Sequence, residues 1–269
     1  MADEMTAPAA EAEEPKPKRP DPITTLLVFI GELALLLGRT VREIGRGGIA
    51  GSDLIEQMSS LGVSTIPIAL LTSFTSGGVL SLYFTPFLNQ YGATQFVGGV
   101  VALAVARELA PVLTGVVFTA RSGSMIAAEI GTMKVTEQVD ALRALAVSPI
   151  RYLVVPRLVA SVIMFPIVCA LSDAAGIFGG YIVAVYMENT PPHVFTDSIK
   201  NLLLPTDFTL GMVKTIFFAV IVALVGCQQG LETRGGATEV GKATTNTVVI
   251  SIVIIYILNF VLADVLFPQ

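Results

Sequence analysis

Apolar and polar positions vary along this chain at two scales, long blocks and a helical stripe. Five apolar blocks, roughly 63–84, 96–120, 154–186, 208–227 and 245–267, are each long enough to cross a bilayer as a helix. The third block is long enough to tilt or to project beyond the hydrocarbon. Pro67, Pro111, Pro156 and Pro166 lie inside or beside these blocks, which membrane bundles tolerate because neighbouring helices satisfy the freed backbone groups. Ahead of them, Ile23, Leu26, Leu27, Ile30, Leu33, Ala34, Leu37, Val41 and Ile44 recur every three or four residues. That stripe is broken by Glu32 and ends in Arg39, Arg42, Glu43 and Arg46, so it predicts a helix lying in the membrane interface rather than a sixth span. Gly47, Gly48 and Gly51 interrupt it, and a second amphipathic piece follows over 52–61. The pattern therefore predicts three regions, an amphipathic one over 23–62, a transmembrane domain over 63–267, and a tail over 1–22. The tail is rich in Ala, Glu and Pro, cannot bury enough apolar surface to fold, and reads as disordered rather than as a signal peptide.

Composition agrees and narrows the class. Of 269 residues 53% are hydrophobic and only 14% charged, against about 25% charged in soluble domains; mean hydropathy is +0.76. These values exclude a disordered or collagenous chain and argue against a cytosolic enzyme. The net charge of −5 is partly a property of the tail, which holds Asp3, Glu4, Glu11, Glu13 and Glu14, and no basic patch suggests nucleic acid. Cys169 and Cys227 sit in apolar runs and read as buried thiols, while the single His193 leaves no basis for a histidine metal site.

The basic residues set an orientation. With the N-terminus in the cytoplasm, inner segments hold Lys16, Lys18, Arg19, Arg39, Arg42, Arg46, Arg121, Lys134, Arg143, Arg151, Arg157, Arg234 and Lys242, and the outer segments hold only Lys200. That asymmetry predicts an N-terminus inside and a C-terminus outside.

Chemistry is concentrated in two places. Between spans two and three, Val135, Val139, Leu142 and Ala146 share a helical face, and Pro149 ends the pattern. A short charged helix there either rests on the membrane or inserts into a cytoplasmic partner. Within the spans, Arg107, Glu108, Asp173 and Lys214 are costly, so each faces the bundle interior or a polar cavity. They either line a substrate path or pair with one another, for example Glu108 with Lys214. Lys200, Asp197 and Asp207 read as a solvated outer loop. Small residues recur every four positions at Ala120, Ser124, Ala128 and Thr132 and again at Gly176, Gly180 and Ala184, as close-packing faces. The run from Gly236 to Lys242 imitates a phosphate loop, but Ala243 replaces the needed hydroxyl and no strand precedes it. No metal site and no catalytic motif stands out.

Several stretches resemble the MlaE/YrbE-type permeases, the membrane subunits of ABC transporters that work with MCE-domain proteins on lipids. They are Arg107-Glu-Leu-Ala-Pro111, the run from Ala128 through Gly131 to Leu142, the run from Ser148 to Arg157, Gly226-Cys-Gln-Gln-Gly230, and the run from Gly235 to Thr245. The resemblance implies an all-α integral membrane homodimer with an N-terminal interfacial helix and five spans per subunit. It implies a coupling helix over 135–146 that docks on an ABC ATPase through Glu137, Asp140 and Leu142, and a lipid cavity containing Arg107, Glu108 and Lys214. ATP and Mg would sit on the partner ATPase, with no cofactor in this chain, and the location would be the bacterial inner membrane. Near the end of the last span the family often has Asp where this chain has Asn259, with Asp264 nearby. Two other functions stay open at this point, an ion-coupled secondary transporter using Glu108 or Asp173, and a non-transporting membrane scaffold.

Overall fold

A computed structural model describes residues 22–47 and 51–267, so the predicted tail over 1–22 falls almost wholly outside the described residues. Every regular element among them is helical. The helices are α1 (Pro22–Gly45), α2 (Gly51–Leu61), α3 (Ile66–Gln90), α4 (Val97–Ala104), α5 (Ala110–Phe118), α6 (Ser124–Val135), α7 (Gln138–Ala144), α8 (Val155–Ile182), α9 (Pro192–Leu202), α10 (Pro205–Glu232) and α11 (Ala237–Leu266). Single π turns at Val105–Leu109 and Thr119–Gly123 join α4, α5 and α6 into one rod.

Five helical stretches are long and apolar enough to cross a membrane: Gly51–Gln90, Thr94–Val135, Ile150–Met187, Pro205–Glu232 and Ala237–Leu266. Each covers one predicted block and overruns it, except that the last helix stops at Leu266, one residue short of the end of its block. Apolar blocks mark only the lipid-facing part of a helix, whereas the backbone hydrogen-bond ladder continues into its polar ends. The second stretch, at 42 residues, is about 63 Å long at 1.5 Å per residue, roughly twice the hydrocarbon thickness. The amphipathic piece predicted over 52–61 is α2, which runs through a short 3-10 turn at Val63–Thr65 into the first spanning helix. The run from Gly236 to Lys242 begins α11 with no strand before it, in keeping with its rejection as a phosphate loop.

In lipid, helices gain little by hiding apolar surface from one another, so close packing has to hold the bundle. α8 is the most buried span and α11 the least. Along the α3–α8 seam, a Cβ on Gly77 would strike the Gly176 carbonyl, and one on Gly179 would strike the Phe74 carbonyl. Here Ser73 Oγ donates to the Ser172 carbonyl at 2.6 Å. The predicted face Gly176, Gly180 and Ala184 is buried in or beside this seam. The other face, Ala120, Ser124, Ala128 and Thr132, is half-buried to exposed within the single chain. Toward the α2 end, Phe118, Phe165 and Phe218 stack in series, with ring centroids 4.7 and 6.4 Å apart, at the centre of the main apolar core. Both cysteines are free and buried there or nearby.

The seam predicts a sharp asymmetry between glycines. Gly179→Val would overpack the α3–α8 contact at a cost of roughly 1–3 kcal/mol and lower the melting temperature in detergent. Gly241→Ala, where an added methyl meets nothing within 4 Å, would leave the melt unchanged.

Candidate functional site

The site begins with a proline. Pro111 has no amide hydrogen, so it cannot close the helical bond to the carbonyl four residues back, which belongs to Arg107. The rod accommodates this with the π turn at Val105–Leu109, a bulge of the kind that neighbours functional sites. The exposed carbonyl does not stay orphaned, because Lys214 on α10 donates to it from Nζ at 3.0 Å. The same ammonium donates to Glu108 Oε1 at 2.6 Å and to Asn259 Oδ1 on α11 at 3.4 Å. Asn259 Nδ2 then donates to Glu108 Oε2 at 2.8 Å, which closes a ring across three spans. All three protons of Lys214 are engaged and its side chain is fully buried.

Arg107 turns the other way. Its Nε and Nη2 both donate to Asp207 Oδ1, at 3.0 and 2.7 Å. Asp207 Oδ2 accepts from the Leu204 amide at 3.0 Å and so caps the start of α10, where a negative charge also suits the helix dipole. Phe267 closes the cluster, its ring centroid 4.7 Å from the Arg107 guanidinium carbon and 5.0 Å from Lys214 Nζ. The formal charges of Arg107, Lys214, Glu108 and Asp207 sum to zero, which is how such groups become tolerable at membrane depth.

The structure thus brings together Arg107, Glu108 and Lys214, and the expected Glu108–Lys214 pair is present. It corrects the reading of Asp207 as a solvated loop residue, since Asp207 is buried within the cluster. The signal was in the sequence: Pro205 at the first helical position and an acid two residues later mark a helix start. By contrast, Lys200 and Asp197 pair with each other at the exposed surface. Asn259 and Phe267 carry no charge and were not among the expected cavity residues. Asn259 keeps the ring neutral, because an aspartate there would set a second carboxylate against Glu108. Asp264 is exposed and takes no part. Asp173 lies apart from the cluster, buried in α8 with neither carboxylate oxygen bonded to protein.

The helix expected over 135–146 is shorter. Val135 ends α6, Glu137 sits in the left-handed region at φ 60°, and only Gln138–Ala144 is helical before Ala146 turns back at φ 57°. Thr136 helps end the first helix by donating from Oγ1 to the Thr132 carbonyl at 2.9 Å. The expected shared face therefore loses its two ends to the breaks: Val139 is buried and Val135 and Leu142 are half-buried, while Ala146 is exposed, as are Glu137, Asp140 and Leu145. Asp140 locks the elbow, accepting from Lys134 at 2.8 Å and from Arg143 at 2.9 Å. Beneath the elbow, Arg157 reaches from α8 to Glu129 on α6 at 2.8 Å and to the Leu153 carbonyl at 2.9 Å.

Two predictions follow from these contacts. Lys214→Met leaves Glu108 and the Arg107 carbonyl without their cation and should destabilise the bundle by about 3 kcal/mol, the low end for a broken buried pair because Glu108 keeps some solvent. The double variant Lys214→Met/Glu108→Gln should recover much of that loss in a thermal melt. At the elbow, the hydrogen bond from Lys134, reinforced by its charge and by Arg143, holds the Asp140 carboxyl below the ordinary aspartate value. A group lowered in this way adds stability above its unfolded value and loses it as pH falls through the folded value. The Lys134–Asp140 contact should therefore persist through neutral and mildly acidic pH and open only in stronger acid, as read by NMR titration of the carboxyl.

Comparison with known proteins places these features. Residues 54–265 match the family model described as Permease MlaE. A probable ABC transporter permease protein of Synechocystis is 43% identical over 232 residues, covering 86% of this chain and 88% of that protein. A probable ABC transporter permease protein of Rickettsia felis is 37% identical over 238 residues, covering 88% and 92%. The protein trigalactosyldiacylglycerol 1, chloroplastic, of Arabidopsis thaliana is 34% identical over 265 residues, covering 98% of this chain and 75% of its own length. With its five membrane-length helices and a match over most of its length, this chain belongs to the MlaE permease family of ABC transporters.

Proposed function

We propose that this chain is the permease subunit of an ABC transporter that moves lipids, with phospholipids as the substrate class. It works as a homodimer in a bacterial inner membrane, with a separate ATPase that carries ATP and Mg and with an MCE-domain protein. The N-terminus lies in the cytoplasm and the C-terminus outside, which puts the α6–α7 elbow on the side where ATP is available. α1 lies in the inner interface. The name of the Arabidopsis relative contains a galactolipid, in keeping with a lipid substrate.

The observation that carries the reading is the Arg107 guanidinium. Lys214 has no free proton and no exposure, so it holds the site together. Arg107 uses only Nε and Nη2, keeps about a third of its side chain exposed at 35%, and has an edge left for a phosphate. Leu109, from the same π turn, lines an apolar groove of about 350 Å³ with Val79, Leu80, Tyr83 and Phe84 of α3. A headgroup phosphate at Arg107 and an acyl chain in that groove would meet matching chemistry. On the inner side, the ATPase docks on Glu137 and Asp140 with Leu142 behind them, and its movement reaches α8 through Glu129 and Arg157.

Reconstitution with the ATPase and MCE-domain protein tests this. Arg107→Ala, expressed and folded normally, should lower lipid transport about tenfold, equivalent to roughly 1.4 kcal/mol, while ATPase binding persists; full transport by that variant would remove Arg107 from the path. Gradient-driven transport by this chain without an ATPase would favour the ion-coupled reading instead.

A further inference from the structure

A second hollow, of about 260 Å³, lies between α1 and the far end of α10, away from the charge cluster. α1 lines it with Glu32, Leu35, Leu36 and Arg39, spaced i, i+3, i+4 and i+7 and so on one face of the helix. α10 contributes Gln228, Leu231 and Glu232. Gln228, almost fully buried, donates from Nε2 to Glu32 Oε2 at 2.8 Å and is itself held by Gln229. That bond fixes the Glu32 carboxylate at the mouth of the hollow. Glu232 lines the same hollow from the α10 side.

Among the described residues, none of Glu32, Glu232 and Arg39 forms an ion pair. Two carboxylates lining one hollow repel each other as anions, which an ammonium between them would relieve as a shared proton does, and a guanidinium on the same wall suits a phosphate. The three leucines are an apolar wall beside both. Glu232 is the last residue of a membrane-length helix, which sets these groups at headgroup depth.

We propose that this hollow binds the headgroup of an amino-phospholipid, with Glu32 and Glu232 taking the ammonium, Arg39 the phosphate, and Leu35, Leu36 and Leu231 the first methylenes. A lipid so placed would hold α1 against α10. The inference rests on the membrane placement of the chain and not on transport or on the ATPase, so it can fail while the proposed function stands.

Native mass spectrometry of the full-length chain in detergent tests it, with phosphatidylethanolamine and phosphatidylglycerol titrated as probes. The wild type should retain phosphatidylethanolamine roughly fivefold better, a preference near 1 kcal/mol. Glu32→Gln/Glu232→Gln should bring that ratio to one, and Arg39→Gln should weaken both lipids by similar factors while Arg39→Lys keeps most of the affinity. Thermal melts would show that each variant remains folded, and Lys242→Gln, exposed and away from the hollow, should leave the preference intact. An unchanged headgroup preference in the Glu32→Gln/Glu232→Gln variant overturns the proposal. So does displacement of the lipid by equimolar soluble phosphoethanolamine, or a shift from dimer to monomer in these variants with lipid binding unaltered, which would make the hollow a contact between copies.

Discussion

The bond from Lys214 to the Arg107 carbonyl organises the membrane domain. A proline four residues downstream removes the helical partner of that carbonyl, and hydrocarbon offers no water to replace it. An ammonium supplied by α10 satisfies the carbonyl but brings a charge that must itself be neutralised. Glu108 neutralises it and Asn259 completes the ring, which ties α10 and α11 to the rod of α4, α5 and α6. Each member is needed because another is buried. Arg107, displaced outward by the same turn, finds Asp207 and keeps one edge open.

Backbone contact rather than apolar burial holds the surrounding helices. The α3–α8 seam lets carbonyls pass where a single methyl would collide, and it leaves α8 central and α11 at the periphery. The π turns serve a related purpose, since each shifts the helical register and redirects side chains without ending the rod. One of them aims Arg107 and Glu108 at different partners, although the two are adjacent in sequence. At the opposite end, the glutamine pair of α10 anchors Glu32, so the polar residue that interrupts the stripe of α1 is also its attachment to the bundle.

How much of this was legible depends on how local the cause was. The length of the apolar blocks located all five spans, because lipid demands about twenty apolar residues per crossing, and periodicity located the amphipathic N-terminal helix, because a helix repeats every 3.6. The resemblance to the family was visible in motifs that fall on the π turn, the elbow and the end of α10. The elbow was less legible: a face from Val135 to Ala146 looked continuous, but Glu137 and Ala146 adopt left-handed backbone that a periodicity count ignores. Asp207 was misplaced because loop acids are usually solvated, and only its position after Pro205 hinted otherwise.

By itself, the sequence determined the all-helical class, the number of spans and the rarity of charge within them, since these follow from local hydropathy and spacing. It also held the Pro111 that frees a carbonyl. Only the tertiary structure decided which group answers that carbonyl and which carboxylate each cation takes. It also decided that Asn259 and Phe267 join the site and that Arg107 alone of the two cations keeps an open edge. Those choices depend on contacts between residues about 45 to 160 positions apart, set by how the helices cross, and no local pattern encodes them.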